Sequence, residues 1–376
     1  MTTYTIAVLA GDGIGPEIMR EALKALDAIQ KKFQVTFIYK EALFGGAAYD
    51  QYGHPFPPET QKVCDESDAI LKGPIGAPKY DQIPDVNLRP ERGALLPLRK
   101  RYDTYANYRP VRLPLSLEDA SPLKKERLGK GVDILMIREL VGGIYFGKKE
   151  RGKKFLDSQA ARQPGSQEVE YAIDVMEYTE PQVERIARLA FSEAKKLGVK
   201  LHNIHKQNVL QSSVFWNEVV DRVHQTEFSD VELEHMLVDN AAYQLVINPS
   251  QFRVMLLENM MGDILTDQAG GILGSLGLMP SACIGPKQAY YEPAHGSAPS
   301  IAGQNIANPY SMIGSIALML EKSFGLQREA DAVWQALFDV FGAGFRTKEL
   351  ASAATPADKI ISTTQFGAKV VENILR

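Results

Sequence analysis

Short apolar runs alternate with helical patterns from one end of the chain to the other, and this alternation restricts the fold more than any other feature. The runs lie at residues 5–9, 35–39, 69–71, 132–137, 170–176, 201–204, 232–238 and 254–257; they are short and mostly apolar, as buried strands are. Strands separated by helices predict an α/β fold with parallel or mixed sheet. The clearest helix is 180–197, with Pro181 in its first turn and Gly198 just past its end. Its Arg185, Arg188, Lys195 and Lys196 read as a solvated face. At 376 residues the chain has room for about two domains.

Charge excludes whole classes of partner. Forty-two Lys and Arg against 46 Asp and Glu leave a formal charge of −4, too weak a field to gather nucleic acid or an anionic membrane, so neither is expected as a partner. The longest uncharged stretch, 268–286, is studded with glycine and suits tight packing better than a membrane span. The first residues show no basic segment before an apolar one, so no signal peptide is expected. Cys64 and Cys283 are too few for a disulfide framework and too far apart for a metal knuckle, which points to a reducing compartment, the cytoplasm by default. Charged segments at 121–130 and 146–168 read as insertions.

Four clusters carry candidate chemistry. The first, Gly11-Asp12-Gly13-Ile14-Gly15-Pro16, resembles a dinucleotide-binding turn, but Pro16 stands where the third glycine is needed; a tight strand-to-helix turn is the better reading. The second places Asp263 and Asp267 four residues apart on one helix face, with Asp239 at the polar end of another strand-like run. Three carboxylates could cage a hard cation such as Mg²⁺ or Mn²⁺. They could equally serve helix dipoles, with Asp239 the N-cap of a helix over 240–246. The third is a set of arginines in apolar surroundings, Arg99, Arg109 and Arg138, which suit a di- or tricarboxylate ligand or internal ion pairs. Tyr145 follows Arg138 among glycines, and Lys206 ends a strand-like run; a tyrosine can donate a proton and a lysine can take one, although packing and surface roles are the commoner uses. The fourth is a Gly/Pro-rich loop over 292–309, able to wrap a nucleotide or to be plain surface.

In order, GDGIGPE (11–17), LLPLRK (95–100), ANYRPV (106–111), IRELVGGIYFG (137–147), KQNVLQSS (206–213), VDNAA (238–242), NMMGDILTD (259–267) and EPAHGSAPSIAGQNIANP (292–309) resemble the β-decarboxylating dehydrogenases, the family of isopropylmalate, isocitrate, homoisocitrate and tartrate dehydrogenases. The resemblance covers nearly the whole chain. Within the family, Leu95 and Leu96 stand where isocitrate enzymes place polar residues, so an isopropyl-bearing substrate and leucine biosynthesis are expected, with tartrate or homoisocitrate as the alternatives. A non-catalytic regulatory relative ranks lower, because no catalytic residue is missing.

The resemblance implies a two-domain α/β fold distinct from the standard Rossmann arrangement. One domain would combine 1–104 with 274–376 on the cofactor side, and the other, 105–273, would carry substrate, metal and dimer contacts. It makes Arg99, Arg109 and Arg138 carboxylate ligands, Asp239, Asp263 and Asp267 ligands of Mg²⁺ or Mn²⁺, and Leu95, Leu96 and Val209 the alkyl pocket. Tyr145, Lys206 and Asp239 become the catalytic residues, with Lys206 and Asp239 entering the neighbouring subunit's site in a homodimer. NAD would lie along Gly76, Glu91, His295, Gly296, Ser297, Ala298, Pro299, Ser300, Ile301 and Asn308. The chain departs from the isopropylmalate pattern at His205 and Ser300, each standing for an aspartate, and at Gln268, where glutamate is common.

Overall fold

The computed structural model describes residues 2–155 and 168–376. Twelve strands occur among them: β1 (Thr2–Leu9), β2 (Val35–Glu41), β3 (Ala69–Lys72), β4 (Ala106–Leu113), β5 (Val132–Glu139), β6 (Lys149–Lys154), β7 (Val169–Asp174), β8 (Leu201–His205), β9 (Leu233–Leu237), β10 (Val254–Leu257), β11 (Pro280–Ile284) and β12 (Ala289–Pro293). Ten of these form one sheet in the order β2-β1-β3-β12-β11-β4-β5-β10-β8-β9. The block β2-β1-β3-β12 is parallel, and so is the block β5-β10-β8-β9. Between them β12–β11, β11–β4 and β4–β5 are antiparallel, so the blocks run in opposite directions. Helices cover both faces, and this mixed α/β sheet is neither closed nor a standard Rossmann sheet.

All eight anticipated strand runs are strands, although 170–176 is realised as β7 in a separate two-stranded hairpin with β6. Four strands were missed. In β4 the run ANYRPVRL hides a fully sheeted segment behind two arginines and a proline, and β11 opens on Pro280. The expected helix is Glu180–Leu197; Thr179 and Gln182 form a capping box, and Gly198 ends it at φ 64°. Of the anticipated insertion at 146–168, residues 156–167 lie outside the described residues. Among the described residues no helix is long and apolar enough to cross a membrane.

The turn after β1 is structural, as its spacing suggests. Gly11 and Gly13 have φ of 74° and 57°, and a Cβ on either would lie 2.2 Å from the Pro74 carbonyl oxygen or 2.0 Å from that of Ser297. Pro16 sits in the first turn of the helix Gly15–Lys32. Asp12, buried between the glycines, accepts N–H bonds from Gly46 and Ala47 at 2.8 Å each and from Gly76 at 2.7 Å. One carboxylate thus ties together the loops that follow β1, β2 and β3. Asp12→Ala should cost about 3 kcal/mol, the scale for losing bonds to a buried charged group, seen as a melting temperature several degrees lower; an unchanged melting curve would refute this role.

Candidate active site

Sheet register decides which side chains meet. Asn107 on β4 is paired with Cys283 on β11 and with Arg138 on β5, and Cys283 is paired with Tyr290 on β12. Directly opposed residues share a face, and so do residues two apart on a strand. Tyr290, Glu292, Cys283, Asn107, Arg109 and Arg138 therefore project from one side. Arg99 reaches the same side from the helix Leu96–Tyr102, its Nε donating to the Tyr290 hydroxyl at 3.0 Å. All three arginines are buried.

Their partners come from the helix Asn259–Ile272, capped by Glu258, whose carboxylate accepts from the amides of Met260 and Met261. Asn259, Asp263, Thr266 and Asp267 recur every three or four residues and share one helix face. Arg138 donates from Nε and Nη2 to Asn259 Oδ1 at 3.1 and 2.7 Å, and from Nη1 to Asp263. Arg109 donates to Asn107 Oδ1 at 2.8 Å, to Thr266 Oγ1 at 2.6 Å and to Asp267 Oδ1 at 3.3 Å. The helix comes this close because residue 262 is glycine: a Cβ there would lie 2.7 Å from Arg138 Cγ. The Tyr145 hydroxyl donates to Asp263 Oδ2 at 2.9 Å.

Burial, with the charges of Arg109 and Arg99, pulls the Arg138 guanidinium down to about 10, against the pull of Asp263. Burial alone would raise Asp263, yet Arg138 holds its carboxyl below the ordinary range, helped by Tyr145 and Arg109. Burial and the bond to Asp263 raise Tyr145, so the phenol keeps its proton at neutral pH. Three guanidinium groups facing two carboxylates leave the site positive, with the fixed charge that a small polycarboxylate needs.

Lys206 Nζ donates to Asp239 Oδ1 at 2.7 Å, and this bond holds the Asp239 carboxyl below its ordinary value. Asp239 is not an N-cap: the helix is Val238–Ile247, Leu237 holds the cap position, and Asp239 is the second helical residue. His205 is buried with its ring against that of His235, and burial followed by His235 lowers its pKa, so it brings no positive charge beside Lys206 at neutral pH. Val209 is 68% exposed, whereas Leu95 and Leu96 are half-buried one turn ahead of Arg99. Among the described residues no group of three His, Cys, Asp or Glu is placed to hold a metal. The hydrogen bonds pair Asp263 and Asp267 with arginines, and Asp239 with Lys206. As an all-oxygen set spaced along one helix face, Asp263 and Asp267 suit a hard divalent cation.

The cofactor-side residues gather around the loops after β1, β3 and β12. The Ser297 hydroxyl donates to the Gly76 carbonyl, a Cβ at Gly76 would lie 2.2 Å from Glu91 Oε1, and Ala298 adopts φ 39° before the turn Pro299–Ile301. His295, Gly296, Ala298, Ile301 and Asn308 line a cavity of about 360 Å³ together with Ile14, Gly277 and Glu349. His295 Nε2 and Asn308 Nδ2 are buried there without partners among the described residues. An apolar recess with unpaired polar atoms fits a nucleotide base, which carries donors and acceptors of its own. Ser300 is exposed. A larger recess of about 650 Å³, lined by Arg112, Lys130 and Arg253, contains none of these residues.

The isocitrate/isopropylmalate dehydrogenase family model matches residues 5–370. The chain belongs to that family. It is 48% identical over 374 residues to a 3-isopropylmalate dehydrogenase of Syntrophotalea carbinolica, covering 99% of each chain, and 47% identical over 369 residues to one of Thermotoga maritima, covering 98% of each. Among solved structures it resembles isocitrate dehydrogenase from Methylococcus capsulatus, with a TM-score of 0.80 and 30% identity over 99% of this chain and 100% of that one. The β-decarboxylating dehydrogenase of Thermococcus kodakarensis gives a TM-score of 0.75 and 31% identity over 99% and 96%. The chain is thus a dehydrogenase of the isocitrate/isopropylmalate family.

In this family member, sequence reading overlooked the neutral residues that hold the charged ones: Asn107, Tyr178, Asn259, Thr266 and Tyr290. Tyr178 accepts from the Asn259 amide at 2.9 Å and donates to Glu258 at 2.8 Å. Asn259 and Thr266 were findable, since they share the helical spacing of Asp263 and Asp267; Tyr178 and Tyr290 had no such signal. Gly262→Ala should destabilise the protein by about 2 kcal/mol, the scale of overpacking. In an Arg138→Ala background the loss should be clearly smaller, because the Cγ and Cδ contacts at 2.7 and 3.1 Å are gone and only Cβ at 3.0 Å remains. Equal melting-temperature losses in both backgrounds would contradict the contact.

Proposed function

We propose that this enzyme oxidises and decarboxylates 3-isopropylmalate to 4-methyl-2-oxopentanoate and CO₂ in leucine biosynthesis, with NAD⁺ as hydride acceptor and Mg²⁺ or Mn²⁺ as activating ion. The observation that carries the substrate choice is apolar surface beside a guanidinium: Leu95 and Leu96 are half-buried one turn before Arg99. An isopropyl group gains about 0.8 kcal/mol per methylene buried there, whereas a third carboxylate would be poorly solvated.

Arg99, Arg109 and Arg138 would hold the two carboxylates and orient the carbon that loses its hydride. Lys206 would take the hydroxyl proton, directly or through a relay. A divalent cation held by Asp263 and Asp267 together with Asp239 entering from the neighbouring subunit would neutralise charge developing on the substrate oxygen, and NAD⁺ would receive the hydride. The 2-oxo group then serves as electron sink for loss of the β-carboxylate. Tyr145, whose phenol keeps its proton at neutral pH, would protonate the carbon of the resulting enolate.

NAD⁺ would lie along Gly76, Glu91 and the loop His295 to Ile301, with the base beside Asn308. Ser300 and Ile301 supply no positive charge for a 2′-phosphate, which favours NAD⁺ over NADP⁺. We divide the chain into a cofactor-side domain, 1–104 with 274–376, and a substrate domain, 105–273; the strands β2-β1-β3-β12-β11 and β4-β5-β10-β8-β9 fall on the two sides of that division. A homodimer with shared sites is supported by exposed Val209, Tyr243 and Ile264, at 68%, 60% and 62%, close in sequence to Lys206, Asp239 and Asp263. Two buried free cysteines are in keeping with the cytoplasm.

The test is NADH formation at 340 nm with isopropylmalate, isocitrate, homoisocitrate and tartrate, each with NAD⁺ and NADP⁺. Isopropylmalate with NAD⁺ should give the highest kcat/KM; a different best substrate replaces the reading, and no turnover with any points to a non-catalytic relative. Tyr145→Phe should retain substrate binding and slow turnover about 100-fold, the scale of losing a general acid; a loss of only a few-fold would exclude that role. Lys206→Ala and Arg138→Ala should each be inactive alone but regain activity when mixed, because a heterodimer assembles one intact site. No recovery after proven subunit exchange would exclude shared sites.

A further inference from the structure

The three site arginines differ in what the protein leaves free. Arg138 spends both outer nitrogens on Asn259 and Asp263, whereas Arg109 spends Nη1 on Thr266 and Asp267 and keeps only Nη2 without a partner among the described residues. Arg99 makes one hydrogen bond among the described residues, from Nε to the Tyr290 hydroxyl, so its Nη1 and Nη2 fork has no protein partner. Two parallel N–H groups held in that state are the geometry that grips a carboxylate bidentately.

Tyr290 cannot easily yield. It is fully buried on β12, beside its cross-strand neighbour Cys283, and the ion pair of Lys72 with Glu292 at 2.5 Å lies on the same face. Across the next ladder, Asn107 Nδ2 donates to Cys283 Sγ at 3.3 Å and to Ser281 Oγ at 2.7 Å, while its Oδ1 accepts from Arg109 Nε at 2.8 Å. One row of the sheet, Tyr290–Cys283–Asn107, therefore holds the Nε of Arg99 at one end and the Nε of Arg109 at the other. We infer that Tyr290 is a positioning residue for substrate affinity: by occupying Arg99 Nε it aims the free fork, and the row it belongs to sets the separation of Arg99 from Arg109, hence of the two carboxylates accepted. This rests on the reading of Arg99 as a carboxylate ligand.

Tyr290→Phe keeps the ring and removes only the oxygen. In the full-length enzyme it should raise the KM for isopropylmalate about tenfold, the scale of one bond to a charged group, with kcat within a few-fold and the KM for NAD⁺ unchanged. Calorimetric binding of isopropylmalate with Mg²⁺ and no NAD⁺ should weaken in parallel. In an Arg99→Lys background, already weakened, Tyr290→Phe should add nothing, because lysine offers no Nε. An unchanged KM and dissociation constant, a loss in kcat alone, or an equal loss in the Arg99→Lys background would overturn the inference. Wild type serves as the control for the site itself: if it binds and turns over none of the dicarboxylates, the reading of Arg99 falls and the inference with it, whereas a wild type that binds while Tyr290→Phe binds equally well removes the inference alone.

Discussion

Burying the Arg138 guanidinium at the end of a central strand is costly, since a charge withdrawn from water must be given partners or be expelled. Much of the surrounding structure follows from meeting that demand. Asn259 and Asp263 take its nitrogens, which fixes the helix Asn259–Ile272 against β5, and that approach in turn requires glycine at 262. The same helix then has only one face to offer, so Thr266 and Asp267 meet Arg109 and Asp263 meets Tyr145. A phenol, carboxylates and guanidinium groups are brought together by one close helix-to-strand contact.

The sheet supplies the other half of the arrangement. Three antiparallel steps join two parallel blocks that run in opposite directions, and the strands of the junction, β11 and β4, carry Cys283, Asn107 and Arg109. A uniformly parallel sheet would gather its loops along one edge. Here the loops after β1, β2 and β3 are drawn together by Asp12 on one side, while those after β5, β8, β9 and β10 carry Tyr145, Lys206, Asp239 and Glu258 on the other.

Legibility in the sequence followed the range of the interaction. Strand runs, the capped helix Glu180–Leu197 and the turn at Gly11 to Pro16 depend on neighbours a few residues away, and they read correctly. Strand β4 did not, because Arg109 and Arg112 break the apolar pattern, yet its row of cross-strand partners makes it central. Asp239 was open between cap and ligand on spacing alone; the helix start at Val238 removes the cap reading, and the carboxylate instead bonds Lys206, 33 residues away.

By itself the sequence determined the α/β class, the family and the identity of the charged groups, because alternation, capping residues and ordered motifs are properties of local segments. Which neutral side chain holds each charge was decided only by the tertiary structure. Tyr290 meets Arg99 across 191 residues and Asn259 meets Arg138 across 121, and both contacts are set by sheet register and helix docking. The energy of a buried charge depends on the few ångströms around it, and those neighbours come from parts of the chain that no local pattern connects.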